Sequence, residues 1–361
     1  MRSIMSQGVP AKRLLMKEEY QRFVSRKALF LILLLLGIVF LAGVAATLGS
    51  ANISVLDVYY AILARFFPGH FQSDWFSDTI VWGLRLHRIM LSIVAGMGLA
   101  IAGAVMQGIL KNPLASPFTL GISSAASFGA ALAIVLGAGF AGGEWLIIGN
   151  AFVFTLLASM TVYGLAKYKG ITPETMILAG IAIMYLFQAM TSFLQYLGQS
   201  EQVAEVVFWM MGSLGRSSWE KVGIVSVIIA LCFPYLLLKS WDINALGAGD
   251  ETATSLGVNV ERTRVLCMMA VSLITAGVIC FTGTIGFIGL VSPHITRMVI
   301  GGDHRFLLPA SALVGGLLLL AADTAARTIL APVIMPVGIM TAFLGVPFFV
   351  YLFMKRKKEF W

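Results

Sequence analysis

The chain has 361 residues, of which 59% are apolar or aromatic and only 12% are charged, and its mean hydropathy is +0.91. Charge-free runs recur along its whole length, which is typical of a polytopic membrane protein and excludes a soluble globular domain. Lys and Arg collect on the cytoplasmic side of membrane proteins, so the net charge of +8 reports topology and predicts no nucleic-acid partner.

The sequence carries no pattern typical of an enzyme or of a metal centre. The three cysteines, Cys232, Cys267 and Cys280, lie in apolar segments without CxxC or Cys/His spacing, and the four histidines are scattered. We therefore expect no metal site, no redox centre and no cofactor. The sequence also lacks a GxxxxGK[ST] loop and the HExxH and GxSxG motifs, so uphill transport would need a partner or an ion gradient as its energy source.

The first two thirds of the chain predict a basic tail and six spans. The tail carries seven Lys and Arg, and the apolar run after it is too long for a cleaved signal peptide, so we expect it to stay inside. Residues 50–84 predict an external loop with a short interfacial helix from Val55 to Phe66. An amphipathic external segment at 201–220 precedes the sixth span. The predicted spans cover residues 28–49, 89–110, 118–136, 145–166, 175–198 and 222–238.

A polar interval, Asn244 to Arg264, then interrupts the apolar segments, and the number of spans before it places it on the same face as the amino terminus. Residues 265–302 predict two short spans that are broken near Thr282. Two further spans are predicted at 306–326 and 337–354, with an external turn between them.

These segments predict an all-α membrane protein with about ten transmembrane helices. They form one polytopic domain at 28–354, with cytoplasmic tails at 1–27 and 355–361. Of the 25 Lys and Arg residues, 19 fall on segments that this topology places inside and 6 fall outside. The asymmetry favours a cytoplasmic location for both termini.

Two acidic residues raise alternative functions. Gly247 to Asp250 reads GxGD, a pattern of intramembrane aspartyl proteases, but that chemistry needs two facing carboxylates and no span before Asp250 has an interior aspartate. Asp323 lies four residues before Arg327 within a predicted span. We expect a structural ion pair between them near the outer end, with a proton relay as the alternative.

Three arginines lie on the face that is otherwise poor in Lys and Arg. Arg85 and Arg88 share one helical face just before the second span, and Arg327 lies at another external boundary. They predict either interface anchors with extended side chains or a docking site for an acidic partner, because guanidinium groups pair bidentately with carboxylates. The residues alone leave both roles open.

Between residues 80 and 354, several motifs follow one another in a fixed order. They are RLHR (85–88), GAVMQG (103–108), NPLASP (112–117) with LGISS (120–124), WMMGSLG (209–215), GDETA and SLGV (249–258), IGFIGLVSPH (285–294), DHR and LLPASA (303–312), and PVGIMTA and GVPF (336–348). Together they resemble the FecCD-type permease subunits of ABC importers for iron-siderophores, haem and cobalamin.

The resemblance implies the type II ABC importer permease fold in a multi-pass protein of the cell membrane. The permease itself would be no enzyme, because partner subunits would hydrolyse the ATP. The implied partners are a second permease copy in a homodimer, two cytoplasmic ABC ATPase subunits and an extracytoplasmic substrate-binding protein. The segment 242–258 would form coupling helices that seat on the ATPase.

Site residues follow from the resemblance by position. Arg85, Arg88 and Arg327 match arginines that grip glutamates of the binding protein, and Asn112 and Leu114 match an inner gate, although the neighbouring prolines would break the helix in any case. The expected ATPase-coupling residues are Gly249, Asp250, Glu251, Thr252, Ala253, Leu256 and Gly257. The expected pathway-lining residues are Gln188, Thr191 and Gln195.

Three positions depart from the family pattern. His87 stands where RLPR has proline, Ala248 replaces a larger apolar residue, and Ile334 replaces a glutamate.

The expected function is translocation of a metal chelate, with a ferric siderophore first and haem or cobalamin as alternatives. An ion-coupled secondary exporter is the alternative from a different class.

Overall fold

In a computed structural model that describes residues 8–49, 53–140 and 142–355, the chain is helical throughout its regular elements, and none of these residues lies in a β-strand. Residues 1–7 and 356–361, which belong to the two predicted tails, lie outside the described residues. The helices are α1 Gly8–Thr47, α2 Val55–Phe66, α3 Trp75–Ile80, α4 Leu86–Ile109, α5 Ile122–Leu136, α6 Trp145–Lys169, α7 Pro173–Leu197, α8 Ser200–Met210, α9 Trp219–Leu238, α10 Ser240–Gly247, α11 Asp250–Ser255, α12 Val260–Thr282, α13 Ile288–Ile300, α14 His304–Thr328 and α15 Val337–Lys355.

The prediction of about ten spans agrees with this architecture. Within the described ranges, seven helices are long and apolar enough to cross a membrane, counting Trp75–Ile109 as one. Three shorter apolar helices, Ile122–Leu136, Ile288–Ile300 and Val337–Tyr351, complete the set of ten. The helix predicted from Val55 to Phe66 is confirmed as α2, and its external location stays a prediction.

The break predicted near Thr282 is confirmed, because α12 ends at Thr282 and α13 begins at Ile288. The start of the first of these two helices was placed too late: α12 has 23 residues and begins at Val260, inside the interval expected to be polar. The span predicted at 306–326 corresponds to α14, His304–Thr328.

The central helix of the bundle is α4, whose small residues allow two other helices to approach its backbone. A Cβ atom added at Gly96 would lie 2.3 Å from the carbonyl oxygen of Gly315 on α14. At Gly103 the same atom would lie 1.6 Å from the carbonyl oxygen of Gly289 on α13. Glycine is therefore required at both positions, as expected for close helix packing in lipid.

Two ends of the bundle can be defined along α4. Arg88 lies in its first turn and Ile109 is its last residue, so roughly 32 Å of helix separate them. We call the end of the bundle at Arg88 the α2 end and the end at Ile109 the α11 end. Lys27, in the middle of α1, lies with its Nζ atom 4.2 Å from the ring centroid of Phe306 near the start of α14, so this part of α1 lies at the α11 end.

Candidate functional site

The interval 242–258 folds as two short helices, α10 and α11, joined at Gly249. Gly249 has a φ of +115°, which a residue with a side chain adopts only with strain, so glycine makes the sharp junction possible. Asp250 and Glu251 occupy the first turn of α11, where negative charge complements the helix dipole. The segment expected to hold coupling helices is thus helical, and its role in coupling is treated below as a proposal.

The carboxylate of Asp250 joins α11 to two other elements. It accepts hydrogen bonds from Lys111 Nζ at 2.9 Å and from Arg264 Nη2 at 2.9 and 3.1 Å. Burial opposes the charged form, but the hydrogen bonds from Arg264 and Lys111 outweigh it and hold the pKa of Asp250 below its ordinary value. The carboxylate therefore stays ionised at neutral pH and links these elements as an anion.

Arg264, in the second turn of α12, is 0% exposed, and its three guanidinium nitrogens donate hydrogen bonds to three different residues. Besides Asp250, its Nε donates to the carbonyl of Ile109 at 3.0 Å and its Nη1 donates to the carbonyl of Ile171 at 2.7 Å. Ile109 ends α4, whose last carbonyls lack helical partners, and Ile171 lies just before α7.

The loop after α4 holds the two expected gate residues. Lys111 has a φ of +48°, which turns the chain sharply at the end of the helix. The Oδ1 atom of Asn112 accepts a hydrogen bond from the backbone N–H of Leu114 at 2.9 Å, and the side chain of Leu114 is exposed. Asn112 thus fixes the turn that presents an apolar side chain at the α11 end.

Helix α10 is fastened separately, to the start of α14. The Oδ1 atom of Asn244 accepts from the backbone N–H of His304 at 2.9 Å, and its Nδ2 donates to Asp303 at 2.9 Å. Arg305 pairs with the same Asp303 carboxylate at 2.6 Å. These hydrogen bonds, that of Arg305 first, lower the pKa of Asp303 from 3.8 to about 2, although burial opposes the shift.

At the α2 end, Asp323 is shared by two of the three expected docking arginines. Arg88 donates from Nε to both carboxylate oxygens at 3.0 and 3.1 Å and from Nη2 at 2.7 Å, and Arg327 donates from Nε at 3.1 Å. Asp323 is 0% exposed and both arginines are buried. The predicted ion pair between Asp323 and Arg327 is confirmed, with Arg88 as a partner that the spacing did not indicate.

The third arginine lies close by, at the end of α1. Arg85 Nη1 donates to the carbonyls of Ala46 at 2.7 Å and Thr47 at 3.2 Å, and Arg327 donates to Leu48 at 3.3 Å. Basic groups at a helix carboxyl end satisfy its last carbonyls and oppose its dipole. The arginines are therefore built into the protomer rather than extended along a membrane interface.

His87, which stands where the family pattern has proline, bridges two segments. A π-helical turn, Val81–Arg85, precedes it. Its Nε2 lies 2.5 Å from the carbonyl oxygen of Gly83, and its Nδ1 lies 2.7 Å from Ser217 Oγ. Because a carbonyl only accepts, Nε2 carries the proton and donates to it. The imidazole thus tethers this turn to the segment after α8.

The three expected pathway residues on α7 have the spacing of one helical face, but they differ in burial. Gln188 is exposed and Gln195 is half-buried. Thr191 is buried, and its hydroxyl donates to the carbonyl of Phe187 at 2.7 Å, so its side chain is directed into the protomer.

Sequence reasoning missed the connecting roles of Arg264 and Lys111. Both were counted only as positive charges of the inner face. Arg264 is the last charged residue before the apolar part of α12, and a charge there is a signal that it has a buried partner.

These features define a polytopic α-helical membrane protein in which α10 and α11, at one end, contact the loop after α4 and the start of α14. The model of the FecCD transport family matches residues 31–355. The chain belongs to the FecCD transport family.

Individual relatives agree with this assignment. A protein of Methanocaldococcus jannaschii assigned as an ABC transporter permease is 45% identical, with 95% of this chain and 99% of that protein covered. The cobalamin import system permease of Halobacterium salinarum is 43% identical, with 78% and 75% covered. A solved structure described as an inward-facing metal-chelate type ABC transporter superposes with a TM-score of 0.79 at 32% identity, covering 90% of this chain and 99% of that one.

Other relatives carry different cargo names. They include permeases for hemin from Yersinia pestis at 37% identity, iron(3+)-hydroxamate from Bacillus subtilis at 33% and molybdate from Haemophilus influenzae at 34%. Since these relatives are permease subunits, this chain is a transport subunit of an ABC importer and not itself an enzyme.

Proposed function

We propose that this subunit translocates a bulky metal chelate across the cell membrane in a binding-protein-dependent importer, with a ferric siderophore as first candidate and both termini cytoplasmic. The observation that carries the proposal is the α10–α11 pair, which is fastened to the gate loop through Asp250 and to α14 through Asn244. Cobalamin is the second candidate, because a relative named for cobalamin import shares 43% identity.

The α11 end is proposed to receive the ATPase subunits. On α11, Glu251, Thr252 and Leu256 are exposed, whereas Ala253 is buried and Asp250 turns its carboxylate towards Lys111 and Arg264. The outward residues would contact the ATPase, and Gly249 and Gly257, both with positive φ, bound the element. This division lets one short helix bind a partner on one side and the permease on the other.

The α2 end is proposed to receive the binding protein through Arg85, Arg88 and Arg327. One carboxylate, Asp323, contacts two of these cations, so the cluster keeps an excess of positive charge that attracts acidic side chains. The guanidinium groups are already hydrogen-bonded inside the protomer. A docking carboxylate would therefore bind arginines that keep their internal partners, rather than arginines whose side chains extend into solvent.

The gate and pathway complete the proposed mechanism. Asn112 and Leu114 would close the inner side of a path between two permease copies in a homodimer. The exposed Gln188 and half-buried Gln195 of α7 would supply sparse polar groups, and Thr191 lies on the same helical face but is buried. A weakly polar wall suits a bulky chelate that passes without tight binding.

Transport by the reconstituted assembly tests this function. The permease, its ATPase and its binding protein are placed in vesicles, and uptake of a ferric siderophore, haem and cobalamin is compared with and without ATP. We expect ATP-dependent uptake of one chelate, stimulated by the binding protein. Uptake or efflux that follows a proton gradient without the ATPase would contradict the proposal and favour a secondary exporter.

A surface variant adds a control. Glu251→Arg with Leu256→Asp should abolish ATP-dependent uptake, because it alters the outward face of α11. The matched change Glu261→Arg, at an exposed site in the first turn of α12, should leave uptake near the wild-type rate.

A further inference from the structure

The strongest unassigned feature is the position of Arg264 between three elements that the proposed mechanism treats separately. Its guanidinium contacts Asp250, which begins α11, the carbonyl of Ile109, which ends α4, and the carbonyl of Ile171, which precedes α7. All three contacts are 3.0 Å or shorter and the residue is 0% exposed. One side chain therefore touches the coupling helix, the helix before the gate and the start of the proposed pathway helix.

The chemistry of the group makes this arrangement stiff. A guanidinium is planar, remains charged and directs its N–H groups in a fixed fork, so a displacement of one acceptor changes its geometry to the others. Breaking one contact would leave a buried cation with fewer partners, which is costly. Moving the three elements together keeps all contacts intact.

A second contact, between Lys111 and Asp250, also links α11 to the loop after α4. Lys111 Nζ lies 2.9 Å from the same Asp250 oxygen, and Lys111 directly precedes the gate residue Asn112. The Lys111 side chain is partly exposed, so water can replace this contact, whereas water does not reach Arg264. The buried contact between Arg264 and Asp250 would therefore transmit a displacement of α11 more directly than the exposed contact of Lys111 does.

We propose that Arg264 is a positioning residue that transmits movement of α11 simultaneously to the end of α4, and hence the gate at Asn112 and Leu114, and to the start of α7. The proposal rests on the proposed function, since it assumes that a partner moves α11. It goes beyond that function by assigning the transmission to one residue outside the coupling segment.

The test compares transport with ATP hydrolysis in the same vesicles. In Arg264→Lys, a single ammonium cannot reach three acceptors, so we expect ATP hydrolysis within about twofold of wild type and a fall of roughly tenfold in chelate transported per ATP, the size of a typical coupling between sites. The matched control is Arg262→Lys, two residues earlier on the exposed face of α12, which should keep the wild-type ratio. An unchanged ratio in Arg264→Lys overturns the proposal.

A second variant covers the case in which Arg264→Lys does not fold. Asp250→Asn keeps the size of the side chain at a partly exposed position and weakens the contacts of α11 with both Arg264 and Lys111. We expect a smaller fall in the same ratio, and a wild-type ratio in this variant would also contradict the proposal. If the wild-type assembly shows no ATP-dependent uptake at all, the proposed function fails instead, so the two failures are distinguishable.

Discussion

The two ends of α4 carry charged clusters that are built in opposite ways. At the α2 end, Asp323 is 0% exposed and both of its arginines are buried. At the α11 end, Arg264 is also buried, but the side chains of Asp250 and Lys111 are 36% and 33% exposed. The first, which we call the sealed cluster, reaches solvent only at the edges of Arg88 and Arg327, each 9% exposed, whereas the second, the half-open cluster, has exposed side chains on one side.

Burial decides what each cluster can do. Removing one member of a buried pair leaves an uncompensated charge and costs about 3–5 kcal/mol, whereas exposed pairs contribute only about 0–1 kcal/mol. The sealed cluster therefore holds α1, α4 and α14 together as a fixed platform. The half-open cluster can be remodelled by a partner at low cost while its buried arginine keeps the internal connections.

The largest effect on stability is expected for Asp323→Asn. The change leaves Arg88 and Arg327 without a counter-ion, so we expect a loss of about 3–5 kcal/mol in the free energy of unfolding. Denaturation of the purified permease in mixed micelles measures it. Asp78→Asn, at a half-buried aspartate of the same end, is the control and should change stability little. Equal stability of the two variants would mean that the buried cluster is not held by its charge.

An intermediate effect is expected for Asp303, which joins α10 to α14. Because its pKa falls from 3.8 to about 2 on folding, its ionised form stabilises the protein by roughly 2 kcal/mol above pH 4, and that contribution is lost as the pH falls towards 2. Asp303→Asn should therefore be less stable than the wild type at pH 7. The difference should shrink below pH 4, and unfolding measured across this range checks it. A difference that grows on acidification would contradict the sign.

The smallest effect is expected for Lys111→Gln. Its contact with Asp250 is about one third exposed, so its loss should lower the free energy of unfolding by at most about 1 kcal/mol and by less at high salt. Unfolding at two ionic strengths measures this. Lys169→Gln, at an exposed lysine at the end of α6, provides the baseline. A loss as large as that of Asp323→Asn would remove the distinction between the two ends.

Much of the fold could be predicted from the sequence, because membrane spans depend on local composition. The helix from Val55 to Phe66 and the break at Lys111 follow from charge and proline placement, whereas the short helices around Gly249 were implied by the family resemblance. The length of α12 was misjudged because charged residues in the first turn of a helix look the same as a polar loop in sequence.

Only part of the candidate site could be predicted from the sequence. The spacing of Asp323 and Arg327 predicted their ion pair, since residues four apart share a helix face. Arg88 is 235 residues from Asp323 in sequence, and Arg264 lies 155 residues from Ile109. Nothing local indicates such partners.

The membrane class, the order of the spans, the family and the polar interval between α9 and α12 can be read from the amino-acid sequence, because each depends on local hydropathy or on contiguous motifs. Which charges are buried and which stay exposed depends on the tertiary structure. The reason is physical: a buried charge is stable only where several distant elements supply its hydrogen bonds, and only folding brings those elements to one place.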